Sequence, residues 1–301
     1  MQSQDTLYRY LFNDANVRGE LVQLQDSFQA ILDNNNYPAP IAELIGEMLA
    51  ATCLLTATLK FEGEVALQLQ SEGAVKYIVI NGTHDQKVRG VARWDEQLET
   101  LPSSFDQLFY KGVLVITITP DKGERYQGMV ALDKGSLAAC LESYFEQSEQ
   151  LATRVMLATD LSTDKPRAGG ILLQVLPTSS EATQRADRPE FDHLMQLTDT
   201  LTSKEMLELP AQDVLYRLYH QETVELFSPQ PVQFTCSCSR ERSAAALASV
   251  DKQELLDIIA SDGDIKMNCQ YCHAEYRFDA IDVETLHAGG ELGPDQGSTA
   301  H

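Results

Sequence analysis

Four cysteines toward the end of the chain carry the most legible chemistry in this sequence. Cys236 and Cys238 form a Cys-x-Cys pair, Cys269 and Cys272 form a Cys-x-x-Cys pair, and thirty residues separate the two. Two tight thiolate pairs can close a tetrahedral shell around one Zn²⁺, with each sulfur about 2.3 Å from the metal. The same sulfurs, placed pairwise, can oxidise to two short-range disulfides. Thiolate is both the metal ligand and the nucleophile toward oxidants, so this site is a candidate redox switch. A permanent zinc ribbon with no redox role is the other reading, and spacing alone leaves both open. His273 adjoins Cys272 and could replace a ligand, but a complete four-sulfur set makes it a bystander.

The remaining reactive side chains point nowhere in particular. Cys53 lies in an apolar helical run and Cys140 in LAACL, where a thiol serves as a small buried hydrophobe. His84, His193, His220, His287 and His301 are scattered. The chain contains no Gly-x-x-x-x-Gly-Lys-Ser/Thr phosphate loop, no Gly-x-Gly-x-x-Gly fingerprint, no Gly-x-Ser-x-Gly elbow and no His-Glu-x-x-His. Acidic residues are numerous, and a solvated face is their expected role.

The elements that must position the cysteines fit an α+β chain of roughly two domains. The 301 residues are 43% hydrophobic, enough for a sizeable core. Lys and Arg total 23 against 45 Asp and Glu, a net charge of −22. That balance argues against nucleic acid and anionic membrane as partners, because phosphate binding needs a positive field. The opening residues are polar with no long apolar region after them, so no secretory leader is expected. The uncharged run at 48–59 is too short to span a bilayer and reads as a buried core helix. A cytoplasmic location follows as the default. Cysteine pairs there more often mean metal or catalysis than structural disulfides.

Residues 1–178 read as a β-rich N-terminal domain with packed helices. Strands are expected at 65–70, 75–80, 88–94, 113–119, 126–132, 154–158 and 171–176, with Asn81-Gly82 as a hairpin turn. Helices are expected at 41–59, after Pro38 and Pro40, and at 137–145, after Gly135-Ser136. Residues 179–231 read as a helical, metastable linker with a polar start at 179–189. Phe191, Leu194, Met195, Leu197 and Leu201 mark one apolar stripe, Thr202-x-x-Glu205 is a capping box, and Pro210 opens a third helix carrying Val214, Leu215 and Leu218. Short helices like these persist only when docked, and the β-rich domain is the platform.

Residues 232–287 form the small cysteine domain, with a helix at 251–260, a turn at Asp262-Gly263 and a strand at 276–278; residues 288–301 read as a flexible tail. A lobe this small rarely draws more than about 3–5 kcal/mol from its core. A structural Zn²⁺ supplies roughly 10–16 kcal/mol of apparent binding energy. The metal wins, and without it the lobe should be largely unfolded. Disulfides in such short loops return little chain entropy by comparison.

The segments FTCSCSRER (234–242) and CQYCHAEYRF (269–278) resemble the zinc-thiolate module of the bacterial redox-regulated chaperonin family, heat-shock protein 33. LYRYLF, VRGELV, LLTATLKFEG, VITITPDKGERYQG and LAACLESYFEQSEQL resemble that family's first domain, and FDHLMQLTDTL and VLYRLYH its linker. The likeness spans nearly the whole chain except the tail. It implies a non-enzymatic, ATP-independent holdase that binds unfolding client proteins during oxidative stress. The resemblance further implies an inactive reduced form with one Zn²⁺ on Cys236, Cys238, Cys269 and Cys272. On oxidation, Cys236 would pair with Cys238 and Cys269 with Cys272, zinc would leave, the linker would loosen, and the protein would dimerise. Two other classes stand beside it: a thiol-disulfide oxidoreductase using Cys269 and Cys272, and a zinc-ribbon binding module for nucleic acid or a protein partner.

Overall fold

The computed structural model describes residues 5–98, 100–102, 104–177 and 189–290. Most of the polar start of the linker (residues 178–188) and most of the tail (residues 291–301, with His301) lie outside the described residues. The chain forms two compact units, Met1–Thr235 and Cys236–His301.

The larger unit is built on two sheets, antiparallel throughout except where a short final strand lies parallel to its neighbour. Its first strands are β1 (Thr6–Phe12), β2 (Val17–Leu24), β3 (Gly63–Gln70), β4 (Val75–Thr83), β5 (Lys87–Trp94), β6 (Val113–Pro120), β7 (Tyr126–Ala131), β8 (Thr153–Asp160) and β9 (Arg167–Val175). Three two-residue strands follow: β10 (Glu225–Leu226), β11 (Gln230–Pro231) and β12 (Gln233–Phe234). One sheet runs β10-β1-β2-β9-β8, with β11 also on β1; the other runs β12-β5-β4-β3-β6-β7. Strands cluster in meanders rather than alternating with crossover helices, which makes the unit α+β.

The sheets share a core because one helix serves both. Helix α1 (Asp26–Asp33) leads into α2 (Ala39–Ala57), which packs against β9, β8 and β2 of one sheet and β4, β3 and β5 of the other. Pro40 lies in its first turn, where a missing N–H costs nothing. By length and mean hydropathy, 1.4, α2 could cross a membrane. It is wrapped instead, with Met48, Leu49, Cys53 and Leu54 fully buried beside Leu67, Ile80 and Leu172.

Asn81-Gly82 does not make the expected turn. Both residues lie inside β4, and the chain reverses at His84–Gln86, where Gln86 takes φ +59°. Gly82 serves close packing: a Cβ there would come within 2.9 Å of the Thr52 methyl on α2. Asn81 donates across the ladder to Glu64. Strands β1 and β2 and helix α1 also go beyond the expected elements. A short helix α3 (Phe105–Leu108) and helix α4 (Leu137–Tyr144) complete the first part. Ser136 caps α4 by accepting from the Ala139 N–H, 3.2 Å.

Three short helices then dock on the first sheet: α5 (Pro189–Thr198), α6 (Ser203–Glu208) and α7 (Ala211–Tyr219). The capping box forms as the sequence predicts, with Thr202 and Glu205 satisfying each other's backbone N–H. Pro210 sits one position earlier than expected, as the cap of α7. Phe191, Leu194, Leu201, Met206, Val214, Leu215 and Tyr219 bury against Tyr10, Phe12, Val17, Leu21, Ile171 and Leu173. Polar ties are few: Gln23 donates to the carbonyls of Met206 and Leu209, 2.7 Å each, and Arg154 pairs with Asp199 at 2.7 Å. Thr202→Ala should cost about 0.5–2 kcal/mol locally. Hydrogen exchange is expected to rise across α5–α7 and stay unchanged in the β2–β9 ladder.

Glu20 on β2 is a built-in instability. Burial pushes its carboxyl up to about 7, against the opposing pull of the Arg18 and Arg9 guanidinium groups. A raised acid keeps its proton on folding, so its contribution is intact below the unfolded value near 4.5 and is lost as pH rises through about 7. Glu20→Gln should therefore gain stability over the parent progressively from pH 5 to pH 8 in denaturant melts. An advantage independent of pH would contradict the assignment.

Candidate metal centre

The smaller unit builds its site from two chain turns on a minimal frame. Its elements are α8 (Arg240–Leu247), α9 (Lys252–Asp262), β13 (Ile265–Asn268), β14 (Glu275–Phe278) and α10 (Ala280–His287), with β13 and β14 paired antiparallel. Asp251 caps α9 and Gly263 ends it at φ +90°, so the expected Asp262-Gly263 turn is a helix stop. Helices α8 and α10 were not anticipated. Each carries a short cap signal, Ser239 for α8 and a reciprocal Asp279–Asp282 box for α10.

Among the described residues, the core of this unit holds six buried apolar side chains: Ala244, Leu247, Leu255, Ile265, Phe278 and Val283. Arg240 ties the start of α8 to that of α10. Its guanidinium lies 4.8 Å from the Phe278 ring centroid and 2.7 Å from the Asp282 carboxylate. These contacts orient the elements, but so few buried groups leave the unit in the range where a staple decides folding.

The sulfurs converge at that frame. Cys236 and Cys238 lie in the extended stretch before α8, while Cys269 and Cys272 bracket the turn between β13 and β14. The turn is set by two backbone bonds, Cys269 N–H to Ala274 O and His273 N–H to Cys269 O, both 2.9 Å. His273 adopts the left-handed conformation there, φ +57°. All four Sγ atoms lie within 4.8 Å of one another, with Cys236–Cys269 at 3.6 Å and Cys238–Cys272 at 3.4 Å. A tetrahedron with bonds of about 2.3 Å requires sulfur separations of about 3.8 Å. The donor set and spacing therefore fit one thiophilic divalent ion. The Cys-x-x-Cys turn joins two antiparallel strands and enters no helix, unlike the βαβ context of a thioredoxin-type motif.

Electrostatics within the thiol cluster are uneven. At Cys238 burial works against the thiolate, yet the hydrogen bond from Tyr276 Oη, 3.1 Å, and those from the other thiols hold its pKa below the ordinary value. Burial pushes Cys236 and Cys272 up. Packing four thiolates together is unfavourable without a cation between them, and a dication reverses that penalty. Tyr276 was missed in the sequence, because its bond to Cys238 depends on hairpin register. Cys53 and Cys140 are both buried in the larger unit, and burial raises both thiols.

Fold and site define a two-unit protein whose smaller unit is organised on a four-thiol cluster. The sequence profile described as Hsp33 protein matches residues 5–279. The chain is 64% identical over 287 residues to the 33 kDa chaperonin of Pseudoalteromonas atlantica, covering 95% of this chain and 96% of that one. It is 53% identical over 294 residues to the 33 kDa chaperonin of Shewanella baltica, covering 98% and 99%. The crystal structure of the Thermotoga maritima 33 kDa chaperonin (heat shock protein 33 homolog) superposes with a TM-score of 0.77. It covers 93% of this chain and 97% of that one at 22% identity, a likeness of fold. The chain belongs to the Hsp33 family.

Tyr276→Phe keeps all four clustered cysteines but removes the bond to Cys238. Supporting partners of metal ligands are typically worth 10–100-fold in affinity. Chelator competition with Zn²⁺ should give roughly a tenfold loss; an unchanged affinity would show that the hydroxyl does not support the site.

Proposed function

We propose that this protein is a redox-regulated, ATP-independent holdase, inactive when reduced and metal-bound and activated by oxidation. One observation carries the reading: four sulfurs lie within 4.8 Å of one another in a unit whose described residues include a core of only six buried apolar side chains. In the reduced state one Zn²⁺ sits on Cys236, Cys238, Cys269 and Cys272. Its binding free energy, roughly 10–16 kcal/mol, exceeds what so small a core can supply.

Oxidation consumes the ligands. Each pair of zinc-bound thiolates gives up two electrons as its sulfur–sulfur bond forms. One peroxide takes up those electrons with two protons from solvent, its O–O bond breaks, two waters result, and the metal loses its donors. The pairing decides the consequence. Cross pairs Cys236–Cys269 and Cys238–Cys272, 33 and 34 residues apart in sequence, would each restore about 4 kcal/mol of loop-closure constraint and keep the unit stapled. Neighbour pairs Cys236–Cys238 and Cys269–Cys272 return only about 2 kcal/mol each and leave the two turns unlinked. Neighbour pairing leaves the unit free to open, and it is the pairing that the family resemblance implies.

Loss of the cysteine unit frees the chain at Cys236, directly after Thr235, whose N–H is bonded to Val88 O at 2.9 Å. The docked helices α5–α7 are short and held mainly by apolar contact, so they loosen next. The apolar surface then uncovered binds unfolding client proteins and, between two copies, forms a homodimer. Binding is stoichiometric and needs no catalytic group. A cytoplasmic setting supplies the reduced resting state, and the net charge of −22 disfavours nucleic acid.

Peroxide with mild heat should release about one zinc per chain, consume the four clustered thiols and start suppression of client aggregation. Fully oxidised protein that leaves aggregation untouched would overturn the function. Peptide mapping should find the two neighbour disulfides; cross pairs would overturn the mechanism alone. Cys269→Ser should weaken zinc binding and uncouple activity from peroxide.

A further inference from the structure

Residues 225–235 form a strap that closes strand edges of both sheets, in the chain segment leading to Cys236. It runs antiparallel along β1, with Leu226 opposite Tyr10 and Gln230 opposite Leu7. It then crosses to the other sheet and runs parallel to β5, with Phe234 opposite Val88. Most of the bonds are main-chain: Phe227 N–H to Arg9 O, Val232 N–H to Asp5 O and Gln233 N–H to Gln86 O, all 3.0 Å, and Thr235 N–H to Val88 O, 2.9 Å. Exposed side-chain ties add Asn13 to Glu225, 2.9 Å, Gln230 to His84 O, 3.0 Å, and the Arg9 guanidinium 5.9 Å from the Phe227 ring centroid.

The grip of this strap is slight. Val232 is fully buried in the main core and Phe234 is half-buried against it, while Leu226 and Phe227 are each 41% exposed. Burying one valine contributes about 1.5–3 kcal/mol. Pro229 and Pro231 remove two N–H donors. Proline on an edge also blocks further strand addition, so the strap closes the sheets against other chains. The edge beneath is the opposite kind: β1, sequence TLYRYLF, is seven residues long and β-prone. An exposed edge of that kind is a template for pairing.

We infer that the strap is an internal stand-in for client, and that the β1 and β5 edges with the Val232 pocket are a client-docking surface. The occupant is an extended apolar segment of an unfolding protein. It adds as a strand by main-chain hydrogen bonds and sets an aliphatic side chain into the Val232 pocket. Main-chain recognition reads no particular sequence, as suits a binder of many unfolding proteins. This inference rests on the holdase reading and names the site where that activity begins.

A fluorescently labelled peptide of residues 225–235 tests it on full-length protein. The peptide should bind the oxidised, metal-free protein and displace client from it, while the reduced, zinc-loaded protein, with its strap seated, should not bind it. The V232D peptide, which sets a carboxylate into the apolar pocket, should bind roughly tenfold or more weakly. Equal binding to both redox forms, no binding, or equal binding of the V232D peptide would overturn the inference even if the oxidised protein protects client. Failure of the oxidised protein to protect client would instead overturn the holdase reading, whatever the peptide does.

Discussion

A four-sulfur shell able to hold one cation is the constraint on which the proposed function depends. Among its described residues the cysteine unit has a core of six buried apolar side chains, a largely buried cation–aromatic and ion-pair contact at Arg240, and more exposed ion pairs at Lys252–Glu284 and Arg277–Asp264. Those contacts select an arrangement but do not secure it. The sulfurs bridge the two ends of the unit, the stretch before α8 and the turn between β13 and β14. A metal bond across them would act as a cross-link that chemistry can remove, and in the proposed function stability is concentrated in the groups that oxidants attack first.

The larger unit is graded in the same direction. Its centre, α2 between the sheets, is closely packed. Outward from it come the docked helices α5–α7, secured by an apolar face and a few polar ties. Beyond them lies the strap over β1 and β5, anchored by a single fully buried valine. Weakness increases toward Cys236, so a disturbance there meets the least resistance first. Buried Glu20, raised to about 7, adds further cost to the folded state near neutral pH. Such grading is what the proposed switch requires: release of the outer elements while the centre stays folded.

The site was legible in the sequence because ligand chemistry depends on residue type and short spacing, and Cys-x-Cys with Cys-x-x-Cys retains both. The linker helices were legible for a similar reason: Thr202 and Glu205 state their cap, and Val214, Leu215 and Leu218 state their buried face. Tertiary context hid the rest. Asn81-Gly82 looks like a turn, yet Gly82 is there because Thr52 of α2 comes close to it. Tyr276 supports Cys238 only through hairpin register, and Arg240 finds Asp282 only after α8 and α10 have formed. The strap was invisible because strands of two residues leave no period to read. Only its pairing with β1 and β5 reveals it.

The most direct measurement of the central claim is hydrogen exchange across the cysteine unit before and after zinc is removed by a chelator under fully reducing conditions. Chelation without oxidation isolates the metal's contribution. The account predicts that amides of β13, β14 and α8–α10 lose protection together while the β2–β9 ladder keeps its own. A unit that retains native protection without metal, its thiols intact, would contradict it.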